Sequence, residues 1–307
     1  MLDKIKLFAP ATVANVSCGF DVLGFCLDTV GDEMVVHKTQ EKGIRITKIE
    51  GSELPLEVEK NVAGVSALAM YNALQPDCGF EIEIYKKIKP GSGIGSSSAS
   101  AAGSVFGINA LLGYPLNKSE LTKYAIKGEA LASQCEHADN IAPTIFGGFT
   151  LVRSVAPVDI LQLPTPEELY ATIIHPQIEI KTSEARAILP KTVALDGAIT
   201  QWSNVGSLVH ALHTSDYDLL NKALKDVIVE PHRKQLIPHF DAVRTAALSA
   251  GALGCGISGS GPSIFMLSKG KSTAENVEKA IADCYQDTSI PFNTFVSKIN
   301  TQGIKVI

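Results

Sequence analysis

Two α+β domains, divided as residues 1–157 and 158–307, are what this chain predicts, and three observations carry that expectation. Strand-like and helix-like patterns alternate through the first half. Three prolines, Pro157, Pro164 and Pro166, then interrupt the pattern. The second half restarts on an apolar strand and closes on a strand, a helix and a strand, which suits two layered α+β units better than one doubly wound sheet.

The elements follow in order. Short apolar runs at 5–8, 33–39 and 44–49 read as strands, and Asn61 can cap a helix whose apolar positions Val65, Leu68 and Leu74 lie near one face. Phe80, Ile82 and Ile84 alternate with Glu81, Glu83 and Tyr85, the mark of an edge strand or of a sheet wet on one side. The small-residue stretch 99–112 reads as a helix able to lie close to another backbone in spite of Gly103 and Gly107. Ser119 is expected to cap the next helix, which runs to about Ser133, and Gly147-Gly148 turns into a strand at 149–152. Beyond the prolines come a strand at 170–174 and helices at 183–189, 198–212, 216–227 and 237–249. A strand at 264–267, a helix at 273–285 and a strand at 295–299 end the chain.

Composition narrows function. With 45% hydrophobic residues the chain can bury substantial cores, and a formal charge of -5 offers no general attraction to nucleic acid or to an anionic membrane. The N-terminus lacks a signal-type apolar region and no run approaches 18 apolar residues, so a cytoplasmic protein is expected. Cys18, Cys26, Cys78, Cys135, Cys255 and Cys284 are too scattered for a metal knuckle and too few for a disulfide scaffold.

The most specific local signal is Pro90-Gly91-Ser92-Gly93-Ile94-Gly95-Ser96-Ser97-Ser98-Ala99-Ser100. Closely spaced glycines followed by a helix start present inward N–H groups and a favourable dipole to an anion, and a serine there can reach a phosphate-bound Mg2+. A tight strand-to-helix turn is the plainer alternative, and the lysine of a P-loop is missing. Glu129 sits in a small, apolar helix, so it either meets a cation or hydrogen-bond donor, or faces water. His137, Asp139 and Asn140 crowd one turn, and Asn15 and Asp21 are set among small residues as pocket walls or turn formers. Arg186 and Arg233 suit a carboxylate, with ordinary salt bridges as the alternative.

Taken together these segments resemble the GHMP family of small-molecule kinases, and most of all its members that phosphorylate L-homoserine. Matches at 10–24, 90–100, 137–143, 185–190, 230–233 and 257–262 fall in the family's order. The resemblance implies a ribosomal-protein-S5-like first domain and a ferredoxin-like second one, with ATP and L-homoserine between them, in a reaction that feeds threonine biosynthesis. It assigns Pro90 to Ser100 to the triphosphate, Asn61 and Val62 to the nucleoside side, and Ser97 and Glu129 to Mg2+. It sets Asp21 and Asn15 at the substrate ammonium and hydroxyl, with His137 and Asn140 nearby, and Arg186 and Arg233 at its carboxylate. Thr182 and Gly259 would close the pocket.

Asn140 stands where mevalonate and galactose kinases place an aspartate base, which implies direct attack by the hydroxyl without a dedicated aspartate, Asp139 being expected to point elsewhere. Val13, Val16, Ser17 and Cys18 depart from the usual PATSANLGPGFD, implying altered packing around the substrate loop more than a new substrate. A homodimer is a possibility the resemblance raises; a nucleic-acid partner is not expected. The competing readings are a GHMP kinase for another alcohol such as mevalonate, and a non-catalytic regulator that binds an amino acid or nucleotide.

Overall fold

A computed structural model describes residues 3–133 and 136–307; Cys135 lies outside the described residues. The chain opens with a hairpin of long strands, β1 (Lys4–Ala14) and β2 (Leu23–Thr39), paired antiparallel with Leu7 opposite Met34. Their register shifts between Pro10 and Thr12, where proline cannot donate to a ladder. β3 (Gly43–Glu50) and β4 (Gly79–Tyr85) are parallel and joined through α1 (Val62–Leu74), whose first turn is capped by Asn61 accepting from the Ala63 N–H at 2.9 Å.

The alternation in β4 has its expected effect, since Phe80, Ile82 and Ile84 are all buried. β4 is not an edge, however. It lies between β2 and β3, so the alternation reflects a sheet covered by helices on one face. On that face α2 (Ser96–Leu111) lies against β1 and β2, with α1 and α3 (Lys118–Ser133) packed around it. A Cβ on Gly107 would stand 2.5 Å from Val36 Cγ2, so the helix comes this close only because the side chain is absent.

α3 starts differently from the expectation. Asn117, not Ser119, makes the cap: its Oδ1 accepts from Glu120 N at 3.0 Å while Glu120 Oε2 accepts from Asn117 N at 2.8 Å. This reciprocal pair is a capping box two residues earlier than predicted. Thr122, one turn further on, donates to the Lys118 carbonyl.

α4 (Ile141–Phe146) leads to the hairpin of β5 (Phe149–Val155) and β6 (Val158–Leu163). β5 pairs with the early part of β2 and β6 with β5. The predicted division between 157 and 158 therefore falls at the hairpin turn, and the chain leaves the first sheet only after Leu163. The prolines that suggested a boundary flank β6 on both sides.

The second sheet has the order β10-β7-β9-β8 and is antiparallel throughout. β7 (Leu169–Pro176), α9 (Phe240–Ser249), β8 (Gly254–Ile257), β9 (Ile264–Lys269), α10 (Lys271–Gln286) and β10 (Phe292–Lys298) form the βαββαβ arrangement of a ferredoxin-like unit. Inserted between β7 and α9 are α5 (Thr182–Ala187), α6 (Leu195–Thr214), α7 (Tyr217–Ala223) and α8 (Glu230–Arg233). The helix expected over 216–227 stops at Ala223. Asp226 stops it by turning its carboxylate to the N–H groups of Ile228, Val229 and Glu230, which start α8 instead.

One core cluster spans both sheets, and in it Phe25 of β2 packs on Phe149 of β5 and on Phe265 of β9, with ring centroids 4.9 and 5.9 Å away; a second cluster, with Val243 and Ile281, lies between the second sheet and its helices. Finally β11 (Lys305–Val306) returns to pair with β1. Five cysteines among the described residues are free thiols, and no described helix is long and apolar enough to cross a membrane.

Candidate active site

One cleft of about 490 Å³ collects residues from loops and helices of both halves of the chain. Its floor is the 90–95 loop, where Gly91, Gly93 and Gly95 all have φ between 72° and 81°, a region closed to most other residues. Gly95 is the N-cap of α2, so the helix begins at once with Ser96, Ser97 and Ser98. The loop is clasped from the second sheet, because Ser258 Oγ donates to Gly93 O at 2.7 Å and Ser263 Oγ to Ser92 O at 2.6 Å. A helix N-terminus with left-handed glycines before it is a place for an anion.

Glu129 reaches this floor from α3. Its two oxygens accept from Ser97 Oγ at 3.1 Å and Ser98 Oγ at 2.9 Å. Burial pushes its carboxyl above the usual range, while the two serine hydroxyls pull it back. One carboxylate with neighbouring hydroxyls is an oxygen donor set that fits Mg2+, which takes one or two carboxylates and completes its shell with phosphate and water. No cluster of three or more His, Cys, Asp or Glu suited to a metal occurs among the described residues, so the fit concerns a metal carried with phosphate.

Beneath the helix start lies Lys86, a cation that the sequence reading missed. Its ammonium pairs with Asp32 and also donates to Ser96 O at 2.8 Å and Ser100 Oγ at 3.0 Å. Both side chains are almost wholly buried, and burial lowers the lysine pKa against the pull of Asp32. Asp32 is itself held by the N–H groups of Lys87 and Ile88.

The opposite end of the cleft is built for two charges of opposite sign. Asp21 and Arg186 face each other across the sheets, with Nη2 to Oδ2 at 2.8 Å and Nη1 to Oδ1 at 3.4 Å. Arg233 is buried, donating to Ala185 O at 2.9 Å and Gly259 O at 3.0 Å. The ring of Phe20 lies 5.6 Å from one guanidinium and 5.0 Å from the other, a shared aromatic support absent from the sequence reading. Asn15 Nδ2 donates to Gly259 O at 2.8 Å, and its Oδ1 accepts from the Asp21 N–H. Thr182 Oγ1 and Ser260 Oγ meet at 3.4 Å above.

Three polar residues stand between the two ends. Asn140 Oδ1 accepts from Thr12 Oγ1 at 2.7 Å, a bond that orients the side-chain amide. His137 Nε2 lies 3.3 Å from Arg186 Nη1. Burial, with the charges of Arg186 and Arg233, moves its pKa down against the influence of Asp21. Asp139 was expected to point elsewhere. It lines the cleft instead, and burial together with the charges of Asp21 and Glu129 pushes its carboxyl up to about 7.

The cleft thus gathers Asn15, Asp21, Val62, Glu129, His137, Asn140, Thr182, Arg186, Arg233 and Gly259, together with Pro90–Gly93 and Gly95–Ser97 and Ser100. Four predicted residues are not on its wall. Asn61 spends its amide on capping α1 and donating to Pro55 O, Ile94 and Ala99 are core residues, and Ser98 is buried against Glu129.

The family model described as "GHMP kinases N terminal domain" matches residues 57–148 and that described as "GHMP kinases C terminal" matches 208–287. A homoserine kinase of Chlorobium phaeobacteroides is 43% identical over 320 aligned positions, covering 100% of both chains. The chain belongs to the GHMP kinases, among the homoserine kinases. The crystal structure of homoserine kinase from Cytophaga hutchinsonii superposes on this GHMP kinase with a TM-score of 0.96, at 51% identity and 100% and 98% coverage of the two chains. Mevalonate kinase from L. major shares the GHMP fold alone, with a TM-score of 0.71 at 15% identity and coverage of 95% and 96%.

Proposed function

We propose that the protein is an ATP:L-homoserine O-phosphotransferase, and the observation that carries this reading is the Asp21–Arg186 pair backed by Arg233 at one end of a cleft whose other end is an anion-binding helix start. A zwitterionic amino acid matches that pair with charges reversed: its ammonium meets Asp21 beside Asn15, and its carboxylate meets Arg186 and Arg233. The same placement directs the side-chain hydroxyl toward Asn140 and the floor. There the 90–100 segment receives the triphosphate, with the nucleoside on the side of Val62. Thr182, at the start of α5, and Gly259, in the loop after β8, both line the cleft and would bound the substrate from that side.

Ser97 and Glu129 would hold the Mg2+ that accompanies ATP, which offsets charge on the phosphates as the phosphoryl group moves. The chain's own work is alignment. Asn140 donates to the substrate hydroxyl oxygen and thereby orients a lone pair, and as a neutral amide it is too weak a base to remove the proton. His137 is placed against the amino-acid end, with Nε2 3.3 Å from Arg186 Nη1 and Nδ1 3.9 Å from Asp21 Oδ1, which favours a part in holding those charges over a part as base. Direct attack, with the proton leaving through phosphate or solvent, follows.

Asp139 supports a second reading, in which a buried carboxyl poised near neutrality takes the proton. Single-turnover transfer across pH 6 to 8 separates the two. Direct transfer leaves Asp139→Asn within about threefold of wild type with no lost ionisation, whereas a base contributes about 100-fold or more.

The substrate assignment is tested by ADP release with L-homoserine, mevalonate, galactose and serine side by side. L-Homoserine should have the highest kcat/KM, and its carboxamide should lose about 2 to 5 kcal/mol of transition-state binding. Equal turnover of mevalonate or galactose would overturn the reading.

A further inference from the structure

We infer that Gln201, on α6 and outside the cleft, is a positioning residue for the amino-acid half of the site, acting together with Asp226; this rests on the proposed substrate reading. The side chain stands between the two segments that supply that half. One is the loop 15–21, which carries Asn15 and Asp21. The other is α8, which carries Arg233.

The loop cannot be held by its own backbone preferences. Asn15, Val16 and Ser17 are consecutive residues with φ of 71°, 42° and 61°, and Asp21 adds a fourth at 61°. Such conformations persist only when surrounding structure over-determines them, above all for β-branched Val16. At the middle of this loop Gln201 Nε2 donates to Cys18 O at 2.9 Å.

The same amide reaches the other segment. Nε2 donates to Asp226 Oδ1 at 2.9 Å, and Oε1 accepts from the Val227 N–H at 2.9 Å. Asp226 then uses both oxygens to start α8, accepting from Ile228 and Val229 at Oδ1 and from Glu230 at Oδ2, each at 2.9 Å. Arg233 ends that short helix. At the tip of the two arms Asn15 Nδ2 and Arg233 Nη1 donate to the one carbonyl of Gly259.

A closed ring results: loop, Gln201, Asp226, α8, Arg233, Gly259 and back to Asn15. It spans the ammonium and carboxylate sites and includes none of Ser97, Glu129 or the 90–95 loop. Only a side chain with two donors and one acceptor on a single amide can make these three bonds. Glutamate keeps the size and the bond to Val227, but it has no donor for Cys18 and places a second carboxylate against Asp226.

The test is steady-state kinetics of the full chain with L-homoserine and ATP varied separately, in wild type, Gln201→Leu and Gln201→Glu. Both variants are expected to raise the KM for L-homoserine at least tenfold while the KM for ATP stays within twofold, a split that general loss of stability does not produce. Gln201→Glu keeps the measurement possible if Gln201→Leu fails to fold. Asn204→Ala, which removes a bond from the same helix to Lys225 O, should leave both constants within twofold. An unchanged KM for L-homoserine, a parallel rise in both constants, or an equal effect of Asn204→Ala would overturn the assignment. Wild type in the same series separates the two readings. If it prefers another alcohol, the substrate assignment falls; if it prefers L-homoserine and the variants do not show the split, only the role of Gln201 falls.

Discussion

Asp139 is the residue at which folding and chemistry pull in different directions. Its carboxyl is pushed up to about 7 by burial and by Asp21 and Glu129, far above the value of an unfolded aspartate. The folded state therefore holds a proton that the unfolded chain gives up, and stability linked to this group is complete below pH 4 and lost as pH rises through about 7. Asp139→Asn keeps the shape without that penalty. In urea titrations it should be more stable than wild type at pH 8, by up to about 4 kcal/mol, with the gain shrinking as pH falls toward 4. A gain that is constant across that range would mean Asp139 does not titrate as described. Glu129 offers the opposite trade. Glu129→Gln removes the charge needed by a phosphate-bound metal while preserving size, and activity should fall by about 100-fold or more with an unchanged circular dichroism spectrum. Normal turnover at saturating Mg-ATP would return Glu129 to a purely structural role.

Helix α2 shows at the scale of an element how backbone preference and packing compete. Its interior Gly107 weakens helix propensity by about 1 kcal/mol relative to alanine, yet a Cβ there would press against Val36 on a buried strand. Overpacking of that kind costs about 1 to 3 kcal/mol, so Gly107→Ala should lower the urea midpoint. Gly206 is the control, because a Cβ on it meets nothing within 4 Å inside α6. Gly206→Ala should stabilise by about 0.5 to 1 kcal/mol, propensity being the only force at work. The same distinction explains what was legible in the sequence. Glycines 91, 93 and 95, Glu129 and the two arginines announce themselves, because their residue types are costly or unusual where they stand. β8, written Gly-Cys-Gly-Ile, has too little strand propensity to be seen, and β6 is masked by flanking prolines. Lys86 looks like one of several solvated lysines until β2 sets Asp32 against it, and Phe20 acquires its role only when α5 and α8 bring both guanidiniums to its ring.

Across the whole molecule, the two sheets are joined by more than a covalent link. The chain passes from the first sheet to the second after β6 and returns at β11, and Phe25 ties the cores together. The glycine loop belongs to the first half, yet two of its carbonyls are satisfied by Ser258 and Ser263 from the second. Removing the Ser258 hydroxyl leaves the part-buried Gly93 carbonyl without that donor, at a cost of about 1 kcal/mol. Because the donor and the acceptor lie on different halves, Ser258→Ala should weaken the join between them and loosen the triphosphate floor together. The expected outcome is a lower melting temperature and a raised KM for ATP. The melting curve should stay a single transition, seen at the same temperature by far-ultraviolet circular dichroism and by the fluorescence of Trp202, which is the only tryptophan and lies on α6 in the second half. Wild-type curves that separate between the two probes would show the halves melting independently. In that case the shared core does not couple them, and the effect of Ser258→Ala on ATP would have to arise within the loop alone.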